Sequence, residues 1–215
     1  MTRLMCRMAV AGMFGLAGCV TGVREDVIRI QAFPAFDEYN KVTTVAVVPF
    51  SGYYVPRSKK VIWGIPHKVT EDNDKVMCDI FTKEFKKHVR LQVVGPEKVA
   101  KLFRKRREKV VGILRPNEVQ RIGGILKVDA LIMGEVRDFS TYKYRMYENS
   151  RIALDVRMAE ASTGELMWKG DFKLDQEGLP HEVAQLGAEL LVEQLISKKA
   201  ALGHTKKKSR VHESL

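Results

Sequence analysis

The stretch RIALDVRMAEASTGELMWKGDFKLD, residues 151–175, decides the fold. Ile152, Leu154, Val156 and Met158 alternate with Ala153, Asp155, Arg157 and Ala159. Beyond Ser162-Thr163-Gly164-Glu165, the residues Leu166, Trp168, Phe172 and Leu174 alternate in the same way. Side chains of a strand point to opposite faces with a period of two, so each run has one apolar face. The STGE turn folds one run back on the other, giving an antiparallel hairpin buried on one side.

Upstream of the hairpin, VDALIMGEVRDF (128–139) and TTVAVVPF (43–50) are near-continuous apolar runs, the second ended by Pro49. Runs of this kind read as strands buried on both faces. LQVV (91–94) adds a short strand. Between these lie segments of helical period. In EDNDKVMCDIFTKEFKKHV (71–89) the apolar residues Val76, Met77, Ile80, Phe81, Phe85 and Val89 share one face. Pro96 opens a second helix with Val99, Leu102 and Phe103 inward. RPNEVQRIGGIL (115–126) is a third, through Val119, Ile122 and Ile125, weakened at Gly123 and Gly124 by about 1 kcal/mol each. LPHEVAQLGAELLVEQLISKK (179–199) closes the fold, burying Val183, Leu186, Leu190 and Leu191. The order strand, helix, strand, helix, helix, strand, strand, strand, helix predicts an α/β protein. One mixed β-sheet with flanking helices would form a single domain over residues 43–200.

The flanks differ in character. Arg3 and Arg7 precede the apolar run MAVAGMFGLAG (8–18). A charged start, a short apolar run and a small-residue exit make a secretory signal, residues 1–18. The run falls short of the roughly 20 residues that span a bilayer. Leu16, Ala17, Gly18 and Cys19 resemble the bacterial lipobox. That resemblance implies cleavage before Cys19, diacylglycerol on its sulfur and a third acyl chain on the new amino terminus. Two or three chains make a lasting anchor. Residues 19–42, with Pro34 and no sustained period, are expected as a lipidated tether. In lipoproteins of this kind Asp after the cysteine favours inner-membrane retention, so with Val20 the resemblance implies the outer membrane, with the domain facing the periplasm.

The formal charge is +11, concentrated in KLFRKRREK (101–109) and in the tail from Lys198, whose residues 201–215 are expected to be disordered. For an exported, lipidated protein this balance points away from nucleic acid. Anionic headgroups, peptidoglycan, acidic polysaccharide or an acidic partner fit it, as does a plain solvated face. Cys78 alone remains after Cys6 leaves and Cys19 takes lipid, so no intrachain disulfide can form and a buried, inert thiol is expected.

SGYYVPRSKKVIWGIPHKVT, residues 51–70, reads as a long loop. Long loops inside compact domains often carry function. Tyr53, Tyr54, Arg57, Lys59, Lys60 and Trp63 are the residue types of interface hot spots and are the candidate partner-binding residues. The other reading is a hairpin whose Val61, Ile62 and Trp63 cover the core. Catalytic signatures do not occur: the sequence has no HExxH, CxxC, Walker A, GxSxG or GxGxxG. The five histidines lack ligand spacing, and Asp175 and Glu177 are placed to cap the last helix. No enzyme, metal or cofactor is expected.

LAGC, VAVVPF, VDALIMGEVRDF and IALDVRMAEASTGELMWKG together resemble a group of bacterial envelope lipoproteins. The group includes the curli secretion lipoprotein CsgG, the synthase activator LpoB and the exopolysaccharide-export lipoprotein PelC, all similar to the amino-terminal domain of TolB. The resemblance implies a non-enzymatic module that forms homo-oligomers or binds envelope protein machinery. The expected function is a scaffold subunit of an envelope secretion or export system. The alternatives are a lipoprotein activator of a peptidoglycan synthase and a polysaccharide- or small-ligand-binding module. A CsgG-type pore is not expected. Barrel strands need about 9–11 alternating residues, whereas 51–70 holds Pro56, Pro66 and several charges, and 138–150 offers one strand extension without a partner.

Overall fold

The computed structural model describes residues 27–52, 61–62, 65–66, 68–69, 72–144 and 147–212. Its strands are β1 (Val27–Ala32), β2 (Thr44–Val47), β3 (Val61–Ile62), β4 (Ile65–Pro66), β5 (Lys68–Val69), β6 (Gln92–Val94), β7 (Ala130–Tyr144), β8 (Tyr147–Glu160) and β9 (Leu166–Glu177). Its helices are α1 (Asn73–His88), α2 (Pro96–Lys105), α3 (Pro116–Leu126) and α4 (Pro180–His212), with a 3₁₀ segment at Pro34–Lys41.

Six strands run across one mixed sheet in the order β1-β9-β8-β7-β2-β6, and a seventh, β5, pairs with the far part of β7. The strands β1, β9, β8 and β7 are antiparallel neighbours, whereas β2 lies parallel to both β6 and β7. The hairpin read from 151–175 is β8–β9, with Leu154 opposite Phe172 and Met158 opposite Trp168. Those apolar residues join α1 and α4 in the larger core, around Ile132, Phe81, Phe85 and Leu191. A smaller core lies on the other face, where Val99 and Phe103 of α2 and Val119 and Ile122 of α3 cover Ala46, Val48, Leu131 and Met133. Between Val136 and Asp138 the β7–β8 register shifts. A bulge reverses the facing of the residues after it, so Val136 and Phe139 both enter the larger core.

Three expectations need correction. The stretch from Val27 to Lys41 is not tether. Its first part is the outermost strand, with Ile28 and Ile30 against the larger core, and its second buries Phe36 and Tyr39. An edge strand is half-buried and short, so its period is too weak to stand out from sequence. At the other terminus α4 continues to His212, so residues 201–212 extend a helix where a disordered tail was expected. Lastly, 51–70 is not loop throughout. It contains the β3–β4 hairpin and returns as β5, with Lys68 opposite Thr141 and Val69 opposite Ser140. Residues 138–144 and 147–150 likewise lie in strands that pair with each other as far as Tyr144 and Tyr147.

Candidate interaction surfaces

The lipobox residues Leu16, Ala17, Gly18 and Cys19 lie outside the described residues, as do Tyr53, Tyr54, Arg57, Lys59, Lys60 and Trp63. Before the segment that holds the second group Ser51 bridges Glu135, and after most of it β5 pairs with β7. The described residues on either side of that segment, Ser51 and Lys68, both lie beside β7.

Asp175 does not cap α4. It accepts hydrogen bonds from the Tyr142 hydroxyl at 2.6 Å and from Arg151 Nη2 at 2.8 Å, tying β7, β8 and β9 together. The start of α4 is instead closed by Glu182, whose Oε2 accepts from the Leu179 amide at 3.3 Å.

A polar array that sequence reading missed covers the outer part of the sheet, on the face opposite α1 and α4. Alternation sends Asp155 and Arg157 of β8 and Lys169 and Asp171 of β9 to this side. Asp155 is 3% exposed although no helix covers it in the larger core's manner. Its carboxylate is enclosed by Arg157 Nε at 3.1 Å, Lys169 Nζ at 3.1 Å and Arg137 Nη2 at 3.4 Å. Burial alone would push this carboxyl up, but hydrogen bonds and charge from Arg157 and Lys169 bring it below the usual carboxylate range. Arg137 also reaches Glu135 at 3.1 Å, and Arg29 of β1 meets Asp171 at 3.0 Å. The array is a ladder of opposite charges across four strands. Its signal was present in the polar half of the 151–175 alternation, once β7 and β1 are known to flank that hairpin.

Two other features carry structure rather than chemistry. Asp129 Oδ2 accepts from the amides and hydroxyls of Thr43 and Thr44 at 2.8–3.0 Å, clasping the starts of β2 and β7. The amide and hydroxyl of Thr43, with those of Thr44, hold its carboxyl down at about 2. A cleft of about 550 Å³ lies between α1 and α2, bordered by Phe50, Cys78, Glu97 and Arg104. Cys78 is 2% exposed, and its thiol is pushed up to about 12 by burial while Sγ lies 3.7 Å from the Val48 carbonyl. A protonated, enclosed thiol is a poor nucleophile. Among the described residues no cluster of three His, Cys, Asp or Glu side chains could hold a metal, and no helix is long and apolar enough to cross a membrane.

No protein-family model matches the chain, and no curated protein does. Solved structures do. The chain is similar to the PelC dodecamer from Paraburkholderia phytofirmans at 12% identity, over 78% of this chain and 95% of that one, with a TM-score of 0.52. It is similar to lipoprotein GNA1162 from Neisseria meningitidis at 13% identity, over 72% of this chain and 99% of that one, with a TM-score of 0.50. The LpoB C-terminal domain from Salmonella enterica matches at 8% identity over 66% of this chain and 94% of that one, but its TM-score of 0.39 is too low to argue from. None of these three is CsgG or TolB, so that side of the resemblance gains no support here. What the chain shares with PelC and GNA1162 is a fold.

Proposed function

We propose that this protein is an outer-membrane lipoprotein, anchored through Cys19 and facing the periplasm. It serves as a non-enzymatic, self-associating scaffold subunit of an envelope secretion or export system. The observation that carries the reading is the likeness in fold to a protein solved as a dodecamer, over 78% of this chain and 95% of that one. The lipobox agrees with it, as does the fold shared with a named lipoprotein. Contacts between copies, or with the machine served, would involve the segment between Ser51 and Lys68, which holds Tyr53, Tyr54, Arg57, Lys59, Lys60 and Trp63. Large side chains cost up to about 2 kcal/mol each in rotamer entropy to order, and a partner surface offsets that cost.

The test is sedimentation of the detergent-extracted protein beside the double variant Tyr54→Ala, Trp63→Ala. The variant should associate more weakly by about 2 kcal/mol, roughly 30-fold in Kd, with its melting temperature kept. Unchanged association removes these residues from the interface. A collapse of the melting temperature assigns them to the core.

A further inference from the structure

The sheet has two edges of unlike character. At one, β1 carries Arg29, and Lys198 of α4 donates to the Ile30 carbonyl at 2.7 Å. At the other, β6 (Gln92, Val93, Val94) holds neither a charge nor a proline, and among the described residues it pairs with β2 alone. Gln92 donates its amide to the Thr43 carbonyl at 2.9 Å. Backbone groups of successive strand residues alternate in side, so the Val93 amide and carbonyl face away from β2, at the open edge. The path of the chain leaves a crevice beside that edge. β2 lies between β6 and β7, parallel to both, and the helices that follow β2 and β6 go to opposite faces, α1 to the larger core and α2 to the smaller. Helices that part in this way open a crevice at the carboxyl ends of the strands. A cleft of about 410 Å³ lies there, between α1 and the β6–α2 junction, bordered by Thr82, Lys83, Lys86, Val93, Gly95 and Lys98. It shares Asp79, Pro96 and Glu97 with the cleft of about 550 Å³ between α1 and α2.

The charge of this groove is one-sided. The two clefts together are lined by six cations, Lys75, Lys83, Lys86, Lys98, Lys101 and Arg104, and by three acids, Asp74, Asp79 and Glu97. None of the six cations is in an ion pair among the described residues. The acids belong to the larger cleft, two of them at its junction with the smaller. Lys86 stands over the end of β6, since a Cβ on Gly95 would lie 3.9 Å from the Lys86 Nζ. From Lys75 to Lys86, α1 rises about 17 Å, a length that about five residues of extended chain cover. Open backbone groups on an uncharged strand suit an extended chain, which adds to a sheet edge through main-chain hydrogen bonds. The excess of unpaired cations suits acidic side chains on that chain. Because β6 is short, the ladder supplies few bonds, and the lysines supply the selectivity.

We propose that the open edge of β6 takes an extended acidic segment of a partner protein as an added strand. The Val93 amide and carbonyl bond its backbone, and its carboxylates meet Lys83, Lys86 and Lys98. The test uses the full chain in detergent and a fluorescent probe, a short peptide of Glu and Val in alternation. Its controls are the same peptide with Lys in place of Glu, and the acidic peptide N-methylated at every residue, which keeps the charge and removes the ladder donors. Fluorescence anisotropy should report binding of the acidic peptide and of neither control. The double variant Lys83→Ala, Lys98→Ala, both exposed, should bind about tenfold more weakly with its melting temperature kept. Hydrogen exchange of the Val93 amide should slow when the probe is bound. Absence of binding at millimolar peptide, or binding that the double variant keeps, overturns the proposal. Equal binding of the Lys peptide overturns the selection by charge, and the proposal with it. Binding that leaves exchange at Val93 unchanged, or that the N-methylated peptide matches, is a charge contact without strand addition and overturns it as well. None of these results bears on self-association, which sedimentation reads separately.

Discussion

Gly123 and Gly124 are neighbours in α3 with opposite expectations. A Cβ on Gly123 would sit 2.4 Å from the Ala161 Cβ at the β8–β9 turn, whereas one on Gly124 would meet nothing within 4 Å. Gly124→Ala should therefore stabilise by up to about 1 kcal/mol through helix propensity, and Gly123→Ala should destabilise by about 1–3 kcal/mol through overpacking. Thermal melting of the two variants should move in opposite directions, and a shift in the same direction contradicts the packing of α3 on the turn. Helix propensity is local and marks both glycines as weak points, whereas the contact with Ala161 spans two elements. Asp129 was equally silent in VDAL. Its carboxyl is lowered from 3.8 to about 2, so its contribution is present above the higher value and is lost as pH falls toward the lower one. The side chain is exposed, which keeps the contribution small. Asp129→Asn should remove that part of the acid destabilisation. Melting curves of both proteins across that window check it, and equal slopes would show that the clasp contributes nothing.

Elements were legible in proportion to their burial. The strands β2, β7, β8 and β9 and the helices α1 to α4 are all legible from apolar period, because each buries a face, although in α4 Val183 and Leu191 are buried while Leu186, expected inside, is 37% exposed. β1 was missed because an edge strand buries only alternate residues, and Arg29 and Gln31 dilute its pattern. Residues 138–150 show no apolar period, since those beyond Phe139 are mostly polar, so the pairing of β7 with β8 there is not legible in the sequence. Edge strands expose unpaired backbone groups that invite pairing with other chains. Here Lys198 of α4 donates to the Ile30 carbonyl at 2.7 Å, covering part of that edge. Lys198→Ala should leave the melting temperature within a few degrees of the parent and raise concentration-dependent light scattering on warming. Scattering equal to that of the parent would show that the cover does not protect the edge.

The whole molecule is a sheet with unequal faces. One is closed by α1 and α4, while α2 and α3 cover only part of the other, leaving the ladder centred on Asp155. The mixed α/β class followed from element order alone, since strands interleaved with helices must cover both sheet faces. The candidate site was less legible. Hot-spot residue types marked the 51–70 segment, but assembly is a property of several copies, and one chain's period carries no term for it. The central claim is that this protein is a lipid-anchored subunit that assembles with copies of itself. Native mass spectrometry of the protein extracted from membranes reads both halves at once. The account predicts a mature chain beginning at an acylated Cys19, present in an assembly of several copies. A single copy, or a chain that retains residues 1–18 without acyl mass, would contradict it.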